Sequence, residues 1–341
     1  MTRAPTSLAG RVVAWQRSHG RHHLPWQNTR DPYRVWLSEV MLQQTQVTTV
    51  LAYYQRFLDR FPAVTDLAAA SQDDVLALWS GLGYYSRARN LHRCAQQVVE
   101  RFGGRFPERA ELLATLPGIG RSTASAISSF CFGERVAILD GNVKRVLGRA
   151  LGFDLDLARA AHEKLLWQRA EALLPDSEAD MPAYTQGLMD LGATVCLPRQ
   201  PRCTDCPLKS DCVALREGRP EAYPVKSRTL RRSAQSLWLL WASDDQGRVW
   251  LQRRPAKGIW AGLHALPVFE SEADLLAALP PDAVVEMQPV FTHVLTHKDL
   301  HLHPARVRLV HSSPQGVEGE WVADWAGRGL PAPMRRLLEA A

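Results

Sequence analysis

Four of the chain's six cysteines, Cys196, Cys203, Cys206 and Cys212, follow the spacing Cys-x6-Cys-x2-Cys-x5-Cys, and no other feature restricts the surrounding fold so tightly. Two disulfides are a poor reading of them. Residues 1–20 carry Arg3, Arg11 and Arg17 without an apolar signal core, so a cytoplasmic address is the default, and that compartment keeps thiols reduced. Four thiolates so close in sequence can instead wrap one metal centre, either tetrahedral zinc or an iron–sulfur cubane. Zinc sites usually set two close pairs far apart. Here one close pair is flanked by single cysteines, and the long first gap favours a [4Fe–4S] cluster. Arg199, Arg202 and Lys209 fall inside the loops and predict a basic rim. Cys94 and Cys131 sit in helical, partly apolar contexts and read as plain buried thiols.

At 341 residues the chain exceeds one ordinary domain. A hydrophobic share of 46% against 22% charged excludes global disorder, and no apolar run reaches the roughly 18–20 residues of a membrane span. Over residues 8–216 apolar side chains recur at three and four, as in Trp36/Val40/Val47 and Leu67/Val75/Leu78, which predicts helices. Residues 217–235, rich in Pro, Arg and Ser, read as an interdomain linker. Beyond it, apolar runs at 236–242 and 248–252 around Asp244-Asp245-Gln246-Gly247 predict a hairpin. Residues 301–310 predict a strand, and 274–279 and 334–340 short helices, so the last third is an α+β module. Residues 1–235 hold 31 Lys and Arg against 23 Asp and Glu, whereas residues 236–341 hold 10 against 12. The positive excess, nearly all arginine, belongs to the helical part and suits a polyanion partner.

The segment Leu116-Pro117-Gly118-Ile119-Gly120-Arg121-Ser122-Thr123-Ala124 places a Gly-x-Gly turn just before a helix. Gly118 and Gly120 let the backbone approach a ligand closely, and the amides of a helix N-terminus attract phosphate. Most such turns are merely turns; Pro117 and the apolar Leu116 and Ile119 strengthen this one. Next, Ile138-Leu139-Asp140-Gly141-Asn142-Val143-Lys144-Arg145 sets an acid at the edge of an apolar segment. Its ordinary reading is a helix N-cap, and Lys144 and Arg145 predict that the cap faces a polyanion. Glu39 shares a helical stripe with Gln43 and Gln46. From spacing alone that stripe is a solvated polar face.

The hairpin, the acid that follows it and the four cysteines together resemble the helix-hairpin-helix DNA glycosylases that carry an iron–sulfur cluster. Four segments look like the adenine-removing branch of that family: Leu24-Pro25-Trp26, Val35-Trp36-Leu37-Ser38-Glu39-Val40-Met41-Leu42-Gln43-Gln44-Thr45, Gly81-Leu82-Gly83-Tyr84-Tyr85-Ser86-Arg87-Ala88 and Met189-Asp190-Leu191-Gly192-Ala193. The likeness runs from about residue 8 to the cysteines and continues more weakly to the C-terminus. It implies a mainly α helix-hairpin-helix glycosylase fold of two helical subdomains, followed by a C-terminal α+β Nudix-like domain. Residues 1–27 and 138–216 would form the cluster subdomain and 28–137 a six-helix subdomain with the hairpin. Residues 217–235 would be the linker, and 236–341 the domain that recognises 8-oxoguanine.

The implied activity is a monofunctional glycosylase of base excision repair. It would flip adenine mispaired with 8-oxoguanine or guanine out of double-stranded DNA and remove it by hydrolysis. Glu39 would then be the general acid to adenine, and it must be buried among apolar groups to stay protonated near neutral pH. Asp140, with Asn142 beside it, would face the oxocarbenium-like sugar. Trp26 and Gln186 would line the adenine pocket, and Gln44 and Tyr84 match intercalating positions. Gly118, Gly120, Ser122 and Lys144 would meet the DNA, and the four cysteines would hold a [4Fe–4S] cluster. In relatives resembling endonuclease III a lysine replaces Ser122 and forms a Schiff base with the sugar, which serine cannot do. The rival reading, a bifunctional glycosylase/lyase for oxidised pyrimidines, is disfavoured by Ser122 and by the extra module. A non-enzymatic, redox-sensing cluster protein would leave Glu39 unexplained.

In the C-terminal third, Lys257-Gly258-Ile259-Trp260-Ala261-Gly262-Leu263-His264-Ala265-Leu266-Pro267 looks like the opening of a Nudix-type fold. Glu270 and Glu272 are too sparse to hold a diphosphate-bound metal pair, so no nucleotide hydrolysis is expected. The loop Leu295-Thr296-His297 matches the family's opposite-base loop, with Leu295 where an aromatic is usual. His293, His297, His301 and His303 read as surface residues rather than as a zinc site. The expected protein is a monomer in a bacterial cytoplasm, held at the nucleoid through DNA and without a membrane attachment. Residues 1–225 are expected to fold and act alone.

Overall fold

The computed structural model describes residues 7–227, 232–310 and 312–340. Helices come first: α1 (Leu8–His19), α2 (Pro32–Leu42), α3 (Val47–Arg60), α4 (Val64–Ala69), α5 (Gln72–Trp79), α6 (Ser86–Phe102), α7 (Ala110–Leu113), α8 (Arg121–Phe132), α9 (Gly141–Leu151), α10 (Ala160–Glu171), α11 (Met181–Thr194) and α12 (Val213–Arg216). Strands follow: β1 (Ser233–Ser243), β2 (Val249–Arg253), β3 (His264–Ala265), β4 (Val268–Phe269), β5 (Val285–Met287), β6 (Phe291–Val294), β7 (Lys298–Arg308) and β8 (Glu320–Val322), with α13 (Glu272–Ala277) and α14 (Ala332–Glu339) between and after them. The helical first part and α+β last part are those the periodicity predicts. Seven helices rather than six fall between residues 28 and 137, because α7 closes one extra turn before the hairpin. No helix among the described residues is long and apolar enough to cross a membrane.

Packing divides the residues into two compact units: 1–44, 63–65 and 93–228 form the first, and 45–62, 66–92 and 229–341 the second. In the first, α11 lies against α1, α8 and α9, and α2 lies against α8. Its core is apolar, with Val12, Leu147, Leu166 and Leu191 fully buried. The stretch read as a linker is partly built into this unit. Tyr223 is buried, the Arg149 Nε donates to its carbonyl at 3.2 Å, and Leu157 N donates to Val225 O at 3.0 Å. Composition hid this, because the partners are backbone carbonyls that any sequence offers. Residues 228–231 of that stretch lie outside the described residues, and β1 already begins at Ser233.

The second unit joins α3 and α5 to the C-terminal module. Phe57 packs edge-on against both Phe61 and Trp79. Ser80 Oγ and Tyr85 Oη both donate to Leu330 O, at 3.0 and 2.9 Å. Arg335 Nε donates to Ser80 Oγ at 3.0 Å, and Arg89 Nη1 to Ala261 O at 2.7 Å. The sheet runs β3-β2-β1-β7-β5, with β4 also on β1, β6 on β7 and β8 on β2. Its centre is a parallel pair, β1 with β7, in register from Ser233↔Lys298 to Ser243↔Arg308. The predicted hairpin is there: β1 and β2 are antiparallel at Ser243↔Val249. Asp244 closes its turn by accepting from Gln246 N and Arg248 N at 3.0 and 2.8 Å.

Candidate active site

Glu39 sits on α2, a helix started by Asp31, whose Oδ1 accepts from Tyr33 N at 3.0 Å, and by Pro32 at its first position. Both chain neighbours of Glu39, Ser38 and Val40, are buried, as are Trp36 and Met41. The carboxyl therefore emerges from a helix most of whose side chains are buried and is itself only partly exposed. Withdrawal from water pushes its pKa up to about 7, and the negative charge of Asp140 adds to the rise. The solvated stripe that spacing alone favours is thus not what the fold makes of Glu39.

The hairpin joins α7 to α8. Leu116 and Ile119 are its buried anchors, and Gly118 takes φ +76°, which only glycine adopts without strain. Gly120 caps α8 without a side-chain bond, and a Cβ placed there would meet nothing within 4 Å. A side chain at Gly120 would thus meet no neighbour, which leaves room beside the start of α8. One residue into the helix, Ser122 Oγ accepts from Leu139 N at 3.1 Å, which ties the hairpin helix to the residue before Asp140.

Asp140 is the N-cap of α9, its Oδ1 accepting from Val143 N at 2.8 Å. Burial raises its pKa; the amides of Val143 and Asn142, then Arg145 and Lys144, pull the other way. The neighbouring cations have protein partners of their own. Lys144 Nζ binds Glu163 at 2.8 Å. Arg145 points inward, donating to Asn142 Oδ1 at 2.8 Å, Gly192 O at 2.6 Å and Cys196 O at 2.7 Å. Gly192 is where α11 meets this turn: a Cβ there would stand 2.5 Å from Asn142 Cβ.

Trp26 is buried. Gln186, on α11, is partly exposed, and its Nε2 donates to Asp190 Oδ1 at 2.9 Å. Asp190, of which nothing is exposed, also accepts from Arg21 N at 2.9 Å and Arg21 Nε at 2.7 Å. Sequence reasoning gave Asp190 no role. An acid one helical turn from a candidate pocket residue was the available signal.

Cys196, Cys203, Cys206 and Cys212 line one cavity of about 30 Å³, more than the roughly 10–15 Å³ a single water needs. Arg149, which the sequence reading passed over, is 3% exposed and lines the same cavity. Its Nη1 lies 3.4 Å from Cys196 Sγ, and it also donates to the carbonyls of Leu197 and Pro198. Among the described residues no three His, Cys, Asp or Glu side chains are gathered closely enough for one metal ion. Arg199, Arg202 and Lys209 are exposed around this region. Cys94 is fully buried and Cys131 half-buried, and burial pushes the Cys131 thiol up to about 12.

Gln44 and Tyr84 share an unusual backbone. Both are exposed non-glycine residues in the left-handed region, at φ +57° and +49°, a conformation that costs about 1–3 kcal/mol and concentrates at functional positions. Gln44 belongs to the first unit and Tyr84 to the second. Within the second, Arg87 supports the Tyr84 turn. It donates to Thr45 Oγ1 at 3.0 Å and Gly83 O at 3.3 Å, and its guanidinium lies 5.5 Å from the Tyr84 ring centre. Burial pulls the Arg87 pKa down to about 10. Tyr84 Oη is 2.7 Å from Thr296 Oγ1. Thr296 and the exposed His297 form the tip between β6 and β7, closed by Leu295 N on Lys298 O at 2.8 Å.

Fold and site together define a base excision DNA repair protein. Residues 37–254 match the model of the HhH-GPD superfamily base excision DNA repair proteins, and residues 237–340 that of the NUDIX domain. A solved thermostable thymine-DNA glycosylase matches 61% of this chain and 95% of its own at 28% identity and a TM-score of 0.55. An endonuclease III in a non-covalent DNA complex shares the fold over 62% of this chain and 94% of its own, at 20% identity and a TM-score of 0.52. The adenine DNA glycosylase of Buchnera aphidicola subsp. Acyrthosiphon pisum (strain APS) is 36% identical over 337 residues, 96% of this chain and 95% of that protein. The Homo sapiens adenine DNA glycosylase is 44% identical over 219 residues, 61% of this chain and 39% of that protein. The chain belongs to the adenine DNA glycosylase family, enzymes that hydrolyse N-glycosyl bonds.

Proposed function

We propose that the chain removes adenine opposite 8-oxoguanine, or opposite guanine, from duplex DNA and leaves an abasic site. The observation that carries this reading is Glu39, a carboxyl whose pKa is pushed up to about 7 in a buried setting beside Asp140. Near neutral pH a large fraction of Glu39 holds its proton and can deliver it to the leaving adenine, which departs as a neutral base. Positive charge then develops on the sugar, and the Asp140 carboxylate, held by the α9 amides, stabilises it until water adds. Asn142, fixed by Arg145, keeps that turn in place. Ser122 offers no amine for an imine, and Lys144 is engaged with Glu163, so the enzyme is monofunctional. The helix N-terminus after Gly118 and Gly120 suits a DNA phosphate, Trp26 and Gln186 line the base pocket, and Gln44 and Tyr84 are each intercalating residues.

The cysteine cavity fits a [4Fe–4S] cluster better than a zinc ion. The four sulfurs ring a space instead of meeting at a point, and the buried Arg149 offsets the negative charge that four thiolates bring. Cys196, Cys203, Cys206 and Cys212 would hold the cluster, which supplies structural cross-linking of this region when bound. Opposite-base preference is assigned to Thr296 and His297, supported by the bond from Thr296 to Tyr84. The domain division into cluster, hairpin and 8-oxoguanine-reading parts belongs to the same proposal.

The test is single-turnover cleavage of duplexes with adenine opposite 8-oxoguanine, or thymine glycol opposite adenine, with and without alkali. Strand breaks on the first duplex that appear only after alkali are expected. Breakage without alkali, or action on thymine glycol alone, overturns the reading.

A further inference from the structure

Asp190 is the most deeply buried carboxylate for which the proposed chemistry has no use. It is 0% exposed, and its carboxylate is held from two sides. Arg21 grips it with the backbone N–H at 2.9 Å and with Nε and Nη2 at 2.7 Å each. Arg21 lies on the segment that leads to Leu24-Pro25-Trp26. From the other side, Gln186 Nε2 donates to Asp190 Oδ1 at 2.9 Å. One buried group therefore anchors Gln186 directly and holds the segment that precedes Trp26.

The chemistry of that bond fixes a direction. A carboxylate paired with a guanidinium only accepts hydrogen bonds, so the atom of the Gln186 amide that faces it must be the NH2. The carbonyl oxygen is turned the other way and takes no bond among the described residues. An amide held so offers an acceptor alone. The edge of adenine presents a donor at its exocyclic 6-amino group, whereas hypoxanthine carries a carbonyl oxygen there. Two acceptors would then face each other without a proton between them.

We propose that Asp190, clamped by Arg21, is a positioning residue that sets Gln186 as acceptor-only and so makes the site select 6-amino over 6-oxo purines. The inference rests on the reading of Gln186 and Trp26 as pocket residues. It is tested with the full chain by single-turnover excision from duplexes carrying adenine or hypoxanthine opposite 8-oxoguanine. The natural protein should favour adenine. Asp190→Asn offers the amide either a donor or an acceptor, so Gln186 can turn over, and the adenine-to-hypoxanthine rate ratio should fall about tenfold or more. Gln186→Leu, at a partly exposed position, should collapse the ratio similarly. It decides the matter if Asp190→Asn does not fold. A ratio unmoved in Gln186→Leu, or equal loss on both bases in a folded Asp190→Asn, overturns the proposal and leaves Asp190 a structural residue. Removal of neither base by the natural protein overturns the adenine-excision reading itself, a separate failure.

Discussion

The unit holding Glu39 and Asp140 relies on charge withdrawn from water, whereas the unit holding Tyr84 and Thr296 relies on a strained turn and a bond between two hydroxyls. In the first, burial moves the two carboxyls upward together, Glu39 to about 7. In the second, a left-handed Tyr84 is held by Arg87 beneath its ring and by Thr296 at its hydroxyl. The difference teaches that the two should respond to different perturbations. The proposed chemistry of Glu39 in the first unit must depend on pH; the bond from Tyr84 to Thr296 in the second rests on geometry.

The sharpest break would come from Glu39→Gln. Base excision should fall by about 10²–10⁴-fold, with duplex affinity kept, and the natural enzyme's single-turnover rate should drop as pH rises through about 7. A near-normal rate for the variant would sink the assignment. The same substitution should stabilise the fold at high pH. A carboxyl raised from 4.5 to about 7 holds its proton more tightly when folded, so stability is lost as pH climbs between those values. That penalty is roughly 3 kcal/mol above pH 7 and absent below pH 4. Urea unfolding at pH 8 and pH 4 should show the variant ahead only at pH 8; equal gains at both would mean that Glu39 is not desolvated.

Smaller effects sharpen the second unit. Arg335→Ala removes the bonds to Ser80 Oγ, Ala326 O and Arg328 O and should cost about 1–3 kcal/mol, with hydrogen exchange rising in α5 as well as in α14. Exchange confined to α14 would argue against a shared unit. Thr296→Val should be mildest, a loss of roughly 2- to 10-fold in preference for 8-oxoguanine over guanine opposite adenine. Its pH–rate profile should overlay that of the natural protein. A shifted profile would mean that the two regions are not chemically separate.

Much of this was legible in local pattern. Asp244 to Gly247 announced the turn between β1 and β2, and Leu116 to Gly120 announced the turn before α8, because turn chemistry is written in adjacent residues. Asp140 is a cap, as its ordinary reading says, and the functional reading needs that cap. Direction was not legible. The spacing of Arg145 and Lys144 names no protein partners for them, yet one binds backbone carbonyls and the other a glutamate. Long-range partners were equally hidden. Alternation along residues 301–310 marks a strand, but nothing in it names β1 as the parallel partner. The grouping of residues 45–62 and 66–92 with the C-terminal module turns on such contacts as Leu330 O, a carbonyl any residue could supply. Residues 1–225 alone would leave Ser80 and Tyr85 without it.

That carbonyl also has a meaning in time. Ser80 and Tyr85 reach Leu330 across 250 and 245 positions of chain. During synthesis, which runs at about 5–20 residues per second, α5 and the Gly81–Gly83 turn leave the ribosome long before Leu330 exists. The residues of the first unit, 93–228, can finish packing in that interval, while Ser80 and Tyr85 wait without Leu330. Newly made chains thus pass through a stage with a cysteine cavity but an unfinished Tyr84 turn. The final stretch of translation decides when that turn is locked.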